Sequence, residues 1–379
     1  MPAVVGAPPD LSAAPVEVEL VRVKLTLVRP HRAAHGVEAV RDLVLVRVVL
    51  TDGTVGWGEC SALGRPTYSA EHTAGAWMVL RDELVPALLA GRPSRVVGHP
   101  MAVAALVAAE ADAHLRRSGR NLADELAALH RGASTTARPT TAVPTTAVVS
   151  RGDHVDDLLA LVAERIGEGA AMVKVKVTPD NADIDAVSAV RATWPDLALA
   201  VDANGTAHTD LMARLEPLGL AYVEQPAPAD ALVASAAFLQ RSDTPVALDE
   251  SVTSRGSLDA AVALRAGSVL NVKPARVGGL DVATNLVAAA TNAGWGVFVG
   301  GMLETGIGRA AAAAVAALPG CTLPTDLGPS HRYFEADVCE PLVLDNQGRL
   351  VIPLGPGIGR IPDPGRLAAA AFDRLVLSR

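Results

Sequence analysis

The spacing of hydrophobic positions changes along the chain. From Val16 to Val28 apolar and polar residues alternate, which predicts a strand; Leu43 to Leu50 is a second, β-branched run. Asp52-Gly53 stands between that run and Val55-Gly56-Trp57-Gly58, a hairpin turn signal. Residues 70 to 130 read instead as Ala/Leu-rich helices with charged faces, as in Ala102 to Arg116. Together these predict an α+β module over residues 16–140, after a disordered Pro/Ala-rich tail over 1–15. Arg131 to Thr146, rich in Thr, Ala and Pro, predicts a linker into a strand near Val143 to Val149. Strands and helices then alternate. Strands are expected at Ala171 to Val177, Leu197 to Val201, Leu220 to Val223, Pro245 to Leu248, Val269 to Val272 and Gly296 to Val299, with a weaker eighth near Cys321. Eight strands separated by helices imply α/β architecture closed as a (β/α)8 barrel of the TIM type over residues 141–355. Arg360 to Arg379, in a last segment over 356–379, is expected to form a helix returning to the first module.

Composition narrows the class. The 379 residues suit one barrel plus a smaller partner, and 50% hydrophobic content with only 3% aromatic predicts a core of Ala, Val and Leu. A formal net charge of −8 with no basic run argues against a nucleic-acid partner. Cys60, Cys321 and Cys339 are far apart and odd in number, so neither a disulfide framework nor a zinc knuckle is supported. No apolar stretch is long enough to span a bilayer, and the start lacks the basic and apolar regions of a signal peptide. The expectation is a cytoplasmic protein with no membrane partner.

The chemistry sits at strand ends. Val173-Lys174-Val175-Lys176-Val177 puts both lysines on one face. In a parallel series between helices the valines face the helices and the lysines face the barrel interior. Buried ammonium groups require carboxylates or a substrate anion, and their proximity is expected to lower the pKa of one of them toward that of a general base. Asp202, Glu224 and Asp249 end three successive strands, each about one βα unit apart, and so share the C-terminal rim. Taken singly, each is a helix-cap candidate; as three hard oxygen donors converging they suit Mg²⁺ or Mn²⁺. Lys273 ends the next strand and is expected opposite the lysine pair. Gly300 to Gly308 lacks a P-loop pattern and reads as either a tight turn or a carboxylate-binding backbone. The parts suit proton abstraction beside a small-molecule carboxylate, with the cation stabilising the enediolate charge.

These residues resemble the enolase superfamily, in its muconate-lactonizing-enzyme subgroup. The resemblance is carried by Lys174-x-Lys176, Asp202-Ala203-Asn204, Glu224-Gln225-Pro226, Asp249-Glu250-Ser251 and Lys273-Pro274 before Arg276-Val277-Gly278-Gly279. Pro66-x-Tyr68-x-x-Glu71, Gly300-Gly301-Met302-x-Glu304-Thr305-Gly306 and Gly355-Pro356-Gly357 are similar to the o-succinylbenzoate synthase / N-succinylamino acid racemase family. The resemblance implies an enolase-like modified barrel with an α+β capping domain and Mg²⁺ on Asp202, Glu224 and Asp249. It implies Lys176 as base, Lys174 as its modulator and Lys273 as the opposite-face lysine. Asn204, Glu250, Arg276, Gly301, Met302, Glu304, Tyr68 and His31 are implied around the substrate, with loops near Arg29 to Gly36 and Glu59 to Tyr68 closing over it. Two departures matter: His31 stands where an aromatic is expected, and Asp326-Leu327-Gly328 lacks the Asp-x-Asp of dipeptide epimerases. Tyr333-Phe334 offers apolar substrate contact or ordinary packing. A guanidinium at Arg276 is expected to depress the pKa of Lys273. The implied reactions are dehydration to o-succinylbenzoate in menaquinone biosynthesis and N-acylamino acid racemisation. A muconate-type cycloisomerase and a non-catalytic acid-binding barrel are the alternatives. A homo-oligomer is implied as well.

Overall fold

The structure is a computed structural model that describes residues 13–33, 36–130, 139–207 and 209–379. Most of the expected tail, residues 34 and 35 of the first loop and residues 131–138 of the linker lie outside the described residues.

The alternating N-terminal runs form an antiparallel meander of β1 (Pro15–Ala33), β2 (Gly36–Leu50) and β3 (Val55–Cys60). Val18, Leu20 and Val23 of β1 are buried, and Gly53 takes φ 84° in the hairpin turn expected there. Helix α1 (Thr73–Val79) passes through a π-helical turn into α2 (Val85–Leu89). Then come α3 (Pro100–Arg117) and α4 (Leu122–His130). Helix α3 lies directly on β3, because Gly56 and Gly58 have no side chain: a Cβ at Gly58 would stand 2.0 Å from the Ala105 carbonyl oxygen.

The start of α3 is capped from a distance. Pro100 has no N–H to satisfy, and the two carboxylate oxygens of Glu71 accept from Met101 N and Ala102 N, each at 2.8 Å. Burial pushes the Glu71 carboxyl up from 4.5 to about 7. The folded chain therefore holds this proton more tightly than the unfolded chain, and the contribution of Glu71 to stability falls as pH rises from about 4.5 to about 7. The stability advantage of the natural chain over Glu71→Gln is expected to shrink across that interval. Denaturant titrations at its two ends check this; a growing advantage refutes it.

The second half runs through β4 (Ala142–Val143), β5 (Thr146–Ser150), α5 (Val155–Gly167), β6 (Met172–Lys176), α6 (Asn181–Thr193), β7 (Leu199–Asp202) and α7 (Thr209–Leu215). It continues with β8 (Val223–Glu224), α8 (Leu232–Leu239), β9 (Val246–Leu248), α9 (Arg255–Leu264), β10 (Val269–Val272), α10 (Leu280–Asn292), β11 (Gly296–Val299) and α11 (Gly306–Ala316). Strands β5 to β11 form one parallel seven-stranded sheet in sequence order. Val173, Val175 and Val177 pack with Leu158 and Val162 of α5 and Ile184 and Val187 of α6. Met172 and Lys174 face inward, where Met172, Ala200, Tyr222, Ala247, Val269 and Phe298 fill the barrel. Tyr222 stacks on Phe298 with ring centroids 5.4 Å apart.

Two expectations need correction. No regular strand forms near Cys321. Leu323 to Asp326 closes the ring instead: Leu323 N and Asp326 N each donate at 3.0 Å to β11, and Thr146 N donates to the Thr325 carbonyl at 2.7 Å. Pro324 and Pro144 remove donors on both sides of that seam, which keeps it out of a regular ladder. The C-terminal segment is also not mainly a helix. After β12 (Leu350–Val351), which pairs with β4, α12 (Pro364–Ala370) is short, and β13 (Ala371–Ser378) pairs antiparallel with β1 at the edge of the first sheet. The Phe372-to-Leu377 run, with Leu375 and Leu377 inward, outweighs the helical reading. Among the described residues no helix is long and apolar enough to cross a membrane.

Candidate active site

A cavity of about 350 Å³ opens at the C-terminal rim of the parallel sheet. The first sheet roofs it: Arg29, Pro30, His31 and Arg32 come from β1, and Leu63 and Tyr68 from the loop after β3. Lys174, Lys176, Asp202, Asn204, Glu224, Lys273, Gly301, Met302, Asp326 and Tyr333 line its floor and walls. Phe334, by contrast, is core.

The register of the sheet sets these positions. Lys176 pairs with Asp202 and Asp202 with Glu224 along adjacent parallel strands, so all three side chains leave one rim on one face. Lys176 Nζ donates to Asp202 Oδ2 at 2.7 Å and to Asn204 Oδ1 at 3.2 Å. Lys174 Nζ contacts Glu224 Oε2 and, at 2.5 Å, Asp326 Oδ2. Lys273 Nζ donates to Asp249 Oδ2 at 2.8 Å and to the Tyr68 hydroxyl at 3.0 Å, and Arg276 Nη2 lies 2.8 Å from Asp249 Oδ1. Asn204 Nδ2 reaches Glu250 Oε1 at 3.1 Å.

Electrostatics excludes Lys174 as the lysine of lowered pKa and corrects the expectation at Lys273. Burial acts to lower Lys174, but Asp326 and Glu224 override it and raise its pKa well above the usual lysine range. Burial and Arg276 also act to lower Lys273, yet Asp249 with Tyr68 and Glu250 raises it. The depression expected from a neighbouring cation is present at Lys273 but outweighed by the carboxylate it grips. Burial opposes ionisation of Asp202, but Lys176 and Lys174 hold it below the usual carboxylate range. Burial, only partly offset by Lys174, pushes Glu224 up to about 8 and, with Asp249 beside it, pushes Glu250 up to about 7.

Among the described residues no three His, Cys, Asp or Glu side chains stand ready as a cation cage. Each acid of the trio turns an oxygen to a basic side chain. The donor set nevertheless suits a hard divalent cation: it is all oxygen, buried and on three adjacent strand ends. The carboxylates of Asp202, Glu224, Asp249, Glu250 and Asp326 also outnumber the cations of Lys174, Lys176, Lys273 and Arg276. Buried Glu250 Oε2 and Asp326 Oδ1 find no hydrogen-bond donor. A divalent cation there would favour the ionised forms of Glu224 and Glu250 and offset the charge of a bound substrate carboxylate.

Glu304 does not line the cavity; it turns back to accept from Met302 N at 2.7 Å. Asp249, Glu250 and Arg276 also stand off its wall. Sequence reasoning missed Gln225. Its fully buried amide accepts from Asp249 N at 3.0 Å and Ser251 N at 3.2 Å and donates to Ser251 Oγ at 2.7 Å, fixing the turn that carries the third acid. Gln225 and Asn204 take φ 40° and 42°, strained backbone at the rim. Asp326 and Asn271 were missed too; Asn271 Nδ2 donates to Glu224 Oε1 at 2.6 Å. The signal for Asn271 was its place two residues before Lys273, inward on the same strand.

The model for the mandelate racemase / muconate lactonizing enzyme N-terminal domain matches residues 15–124, and that for the enolase C-terminal domain-like family matches residues 157–365. An N-succinylamino acid racemase from Amycolatopsis sp. is 40% identical over 92% of this chain and 95% of its own length. An o-succinylbenzoate synthase from Geobacillus stearothermophilus is 35% identical over 90% of this chain and 92% of its own. A crystal structure of an enolase-superfamily member from Listeria innocua superposes with TM-score 0.86 at 28% identity, covering 97% of this chain and 99% of that one. With both halves matched and the barrel and cap superposing nearly end to end, the chain belongs to the mandelate racemase / muconate lactonizing enzyme family of the enolase superfamily.

Proposed function

We propose that this chain is an o-succinylbenzoate synthase that depends on Mg²⁺, with Mn²⁺ as a substitute. The observation that carries the reading is the placement of Lys176 on β6 and Lys273 after β10 at one rim, with the three acids on the strands between them. Relatives named o-succinylbenzoate synthase at 30–35% identity support it. Asp202, Glu224 and Asp249 would hold the cation. Bound there, it supplies charge neutralisation for a substrate carboxylate whose oxygens gain negative charge as the α-proton leaves.

The chain's own residues do the rest. Lys176 takes the proton α to the carboxylate and gives it to the β-hydroxyl, which departs as water, and the ring becomes aromatic. Lys174, clamped between Glu224 and Asp326, stays cationic and keeps those acids in place. Lys273, on the other side of the carboxylates, stabilises the intermediate. Tyr68 and the β1 loop exclude water. The proposal extends to a cap spanning residues 16–140, a homo-oligomeric assembly and a cytoplasmic location. Formation of o-succinylbenzoate from its cyclohexadiene precursor, and exchange of the α-hydrogen of an N-succinylamino acid in D₂O, each dependent on added Mg²⁺, test the reaction class; absence of both contradicts it.

A second activity, N-succinylamino acid racemisation, is favoured by the same lysine pair, because racemisation needs proton transfer on both faces. Arg276 bears on this choice. It shares Asp249 with Lys273, so its loss leaves the carboxylate to hold the lysine proton more tightly. Arg276→Met is expected to lower racemisation roughly tenfold more than dehydration, as one pKa unit on an essential proton donor-acceptor would. Parallel kcat/KM measurements check this, and equal losses refute it.

A further inference from the structure

Arg41, on β2 of the cap, is a fully buried guanidinium outside the lining of the cavity. Its Nη2 donates to the carbonyl oxygens of Ser61 at 2.8 Å, Ala62 at 3.3 Å and Met302 at 3.1 Å, and its Nε donates to that of Leu303 at 3.3 Å. Two loops more than two hundred residues apart in sequence thus meet on one side chain. Both supply cavity wall: Leu63 follows Ala62 directly, and Met302 and Leu303 line the cavity themselves. Leu303 has φ 57°, a left-handed backbone that a branched side chain adopts only when its surroundings enforce it. Arg41 grips the carbonyl on each side of that residue. Burial lowers its pKa, and Glu38, Glu59 and Glu304 offset that only in part. The rigid fork reaches the Leu303 carbonyl with Nε while Nη2 serves the other three; a lysine ammonium has the charge and three donors at one point but not that second, fixed arm.

We propose that Arg41 is a positioning residue that sets substrate affinity: it holds Leu303 in its strained conformation against Leu63, so that cap and barrel present one apolar wall to the substrate. Without that grip the peptide around Leu303 relaxes and its side chain leaves the cavity. The inference rests on the cavity being the substrate site, and it concerns binding, not the proton-transfer step.

The test compares Arg41→Lys with Leu286→Ala, a core truncation in α10 away from the cavity. Calorimetric affinity for o-succinylbenzoate is expected to fall roughly tenfold in Arg41→Lys, the scale of one lost apolar contact, with KM rising by the same factor and kcat within about twofold. Leu286→Ala, although less stable, keeps the natural affinity. Unchanged affinity in Arg41→Lys, or a loss confined to kcat, overturns the proposal. If Arg41→Lys does not fold, Leu303→Gly decides: it relieves the strain and removes the side chain, so the same loss of affinity is expected without loss of stability, and full affinity overturns the role. Should the natural protein bind the probe yet turn over neither substrate, the reaction assignment falls while the affinity comparison still decides the role of Arg41.

Discussion

Lys176→Ala is expected to lower turnover in both reactions by about 10³-fold or more, the upper range for a positioned general base, while the chain stays folded. The residue suits this test because its loss leaves the packing of the strand intact. It sits at the rim, at the end of β6, with its alkyl stem outside the valine layer that holds the strand to α5 and α6. Its ammonium pairs with Asp202 and Asn204 and with no element of the core. Loss of turnover in both reactions, with the chain still folded and a somewhat lower melting temperature because buried Asp202 loses its partner, is the expected signature. Lys273→Ala then separates the reactions. Racemisation is expected to fall by the same order, since one face loses its proton carrier. Dehydration falls less, because only a stabilising cation is lost. Turnover in Lys176→Ala near the natural rate rules out the assigned base.

Lys174→Met is expected to act on stability first, costing about 3–5 kcal/mol. Lys174 is buried and bridges Glu224 and Asp326, and Asp326 sits on the barrel seam where a regular ladder is missing. Removing the ammonium leaves two carboxylates close together in a site where burial already pushes Glu224 up to about 8 and raises Asp326. The double variant Lys174→Met/Asp326→Asn removes one of the two stranded charges and is expected to regain part of the loss. Denaturant midpoints of the natural, single and double variants check the coupling. If the double variant is as unstable as the sum of both single losses, the bridge is not what holds the seam.

The contrast between these lysines shows what could be read in the sequence. The Val-Lys-Val-Lys-Val alternation placed both on one face, and the helix–strand alternation turned that face inward; both follow from local periodicity. The strand-end acids were legible for the same reason, since each closes a short apolar run. Pairings across long sequence separations left no such trace. Lys174 looked like a modulator of Lys176, yet its partners are Glu224 and Asp326, one of them on a seam with no hydrophobic pattern to announce it. Arg41 lies just before the Leu43 to Leu50 run, with no pattern of its own; only the fold shows that Ser61 and Met302 meet there. Gln225 followed a ligand candidate and was passed over, although its amide fixes the next one. The C-terminal segment was ambiguous because the helix formers Leu367 to Ala371 run straight into the apolar stretch Leu375 to Leu377, and the free edge of β1 decided between them.

The central claim concerns where the three acids and two lysines stand when the site is loaded. A crystal structure with Mn²⁺ and o-succinylbenzoate, with the cation located by anomalous scattering, tests it most directly. One cation is expected within about 2.2 Å of oxygens from Asp202, Glu224 and Asp249, with the ligand carboxylate beside it and Lys176 and Lys273 on opposite faces of the ligand. A cation bound elsewhere, with the acids still on their lysines, or both ammonium groups on one face, contradicts it.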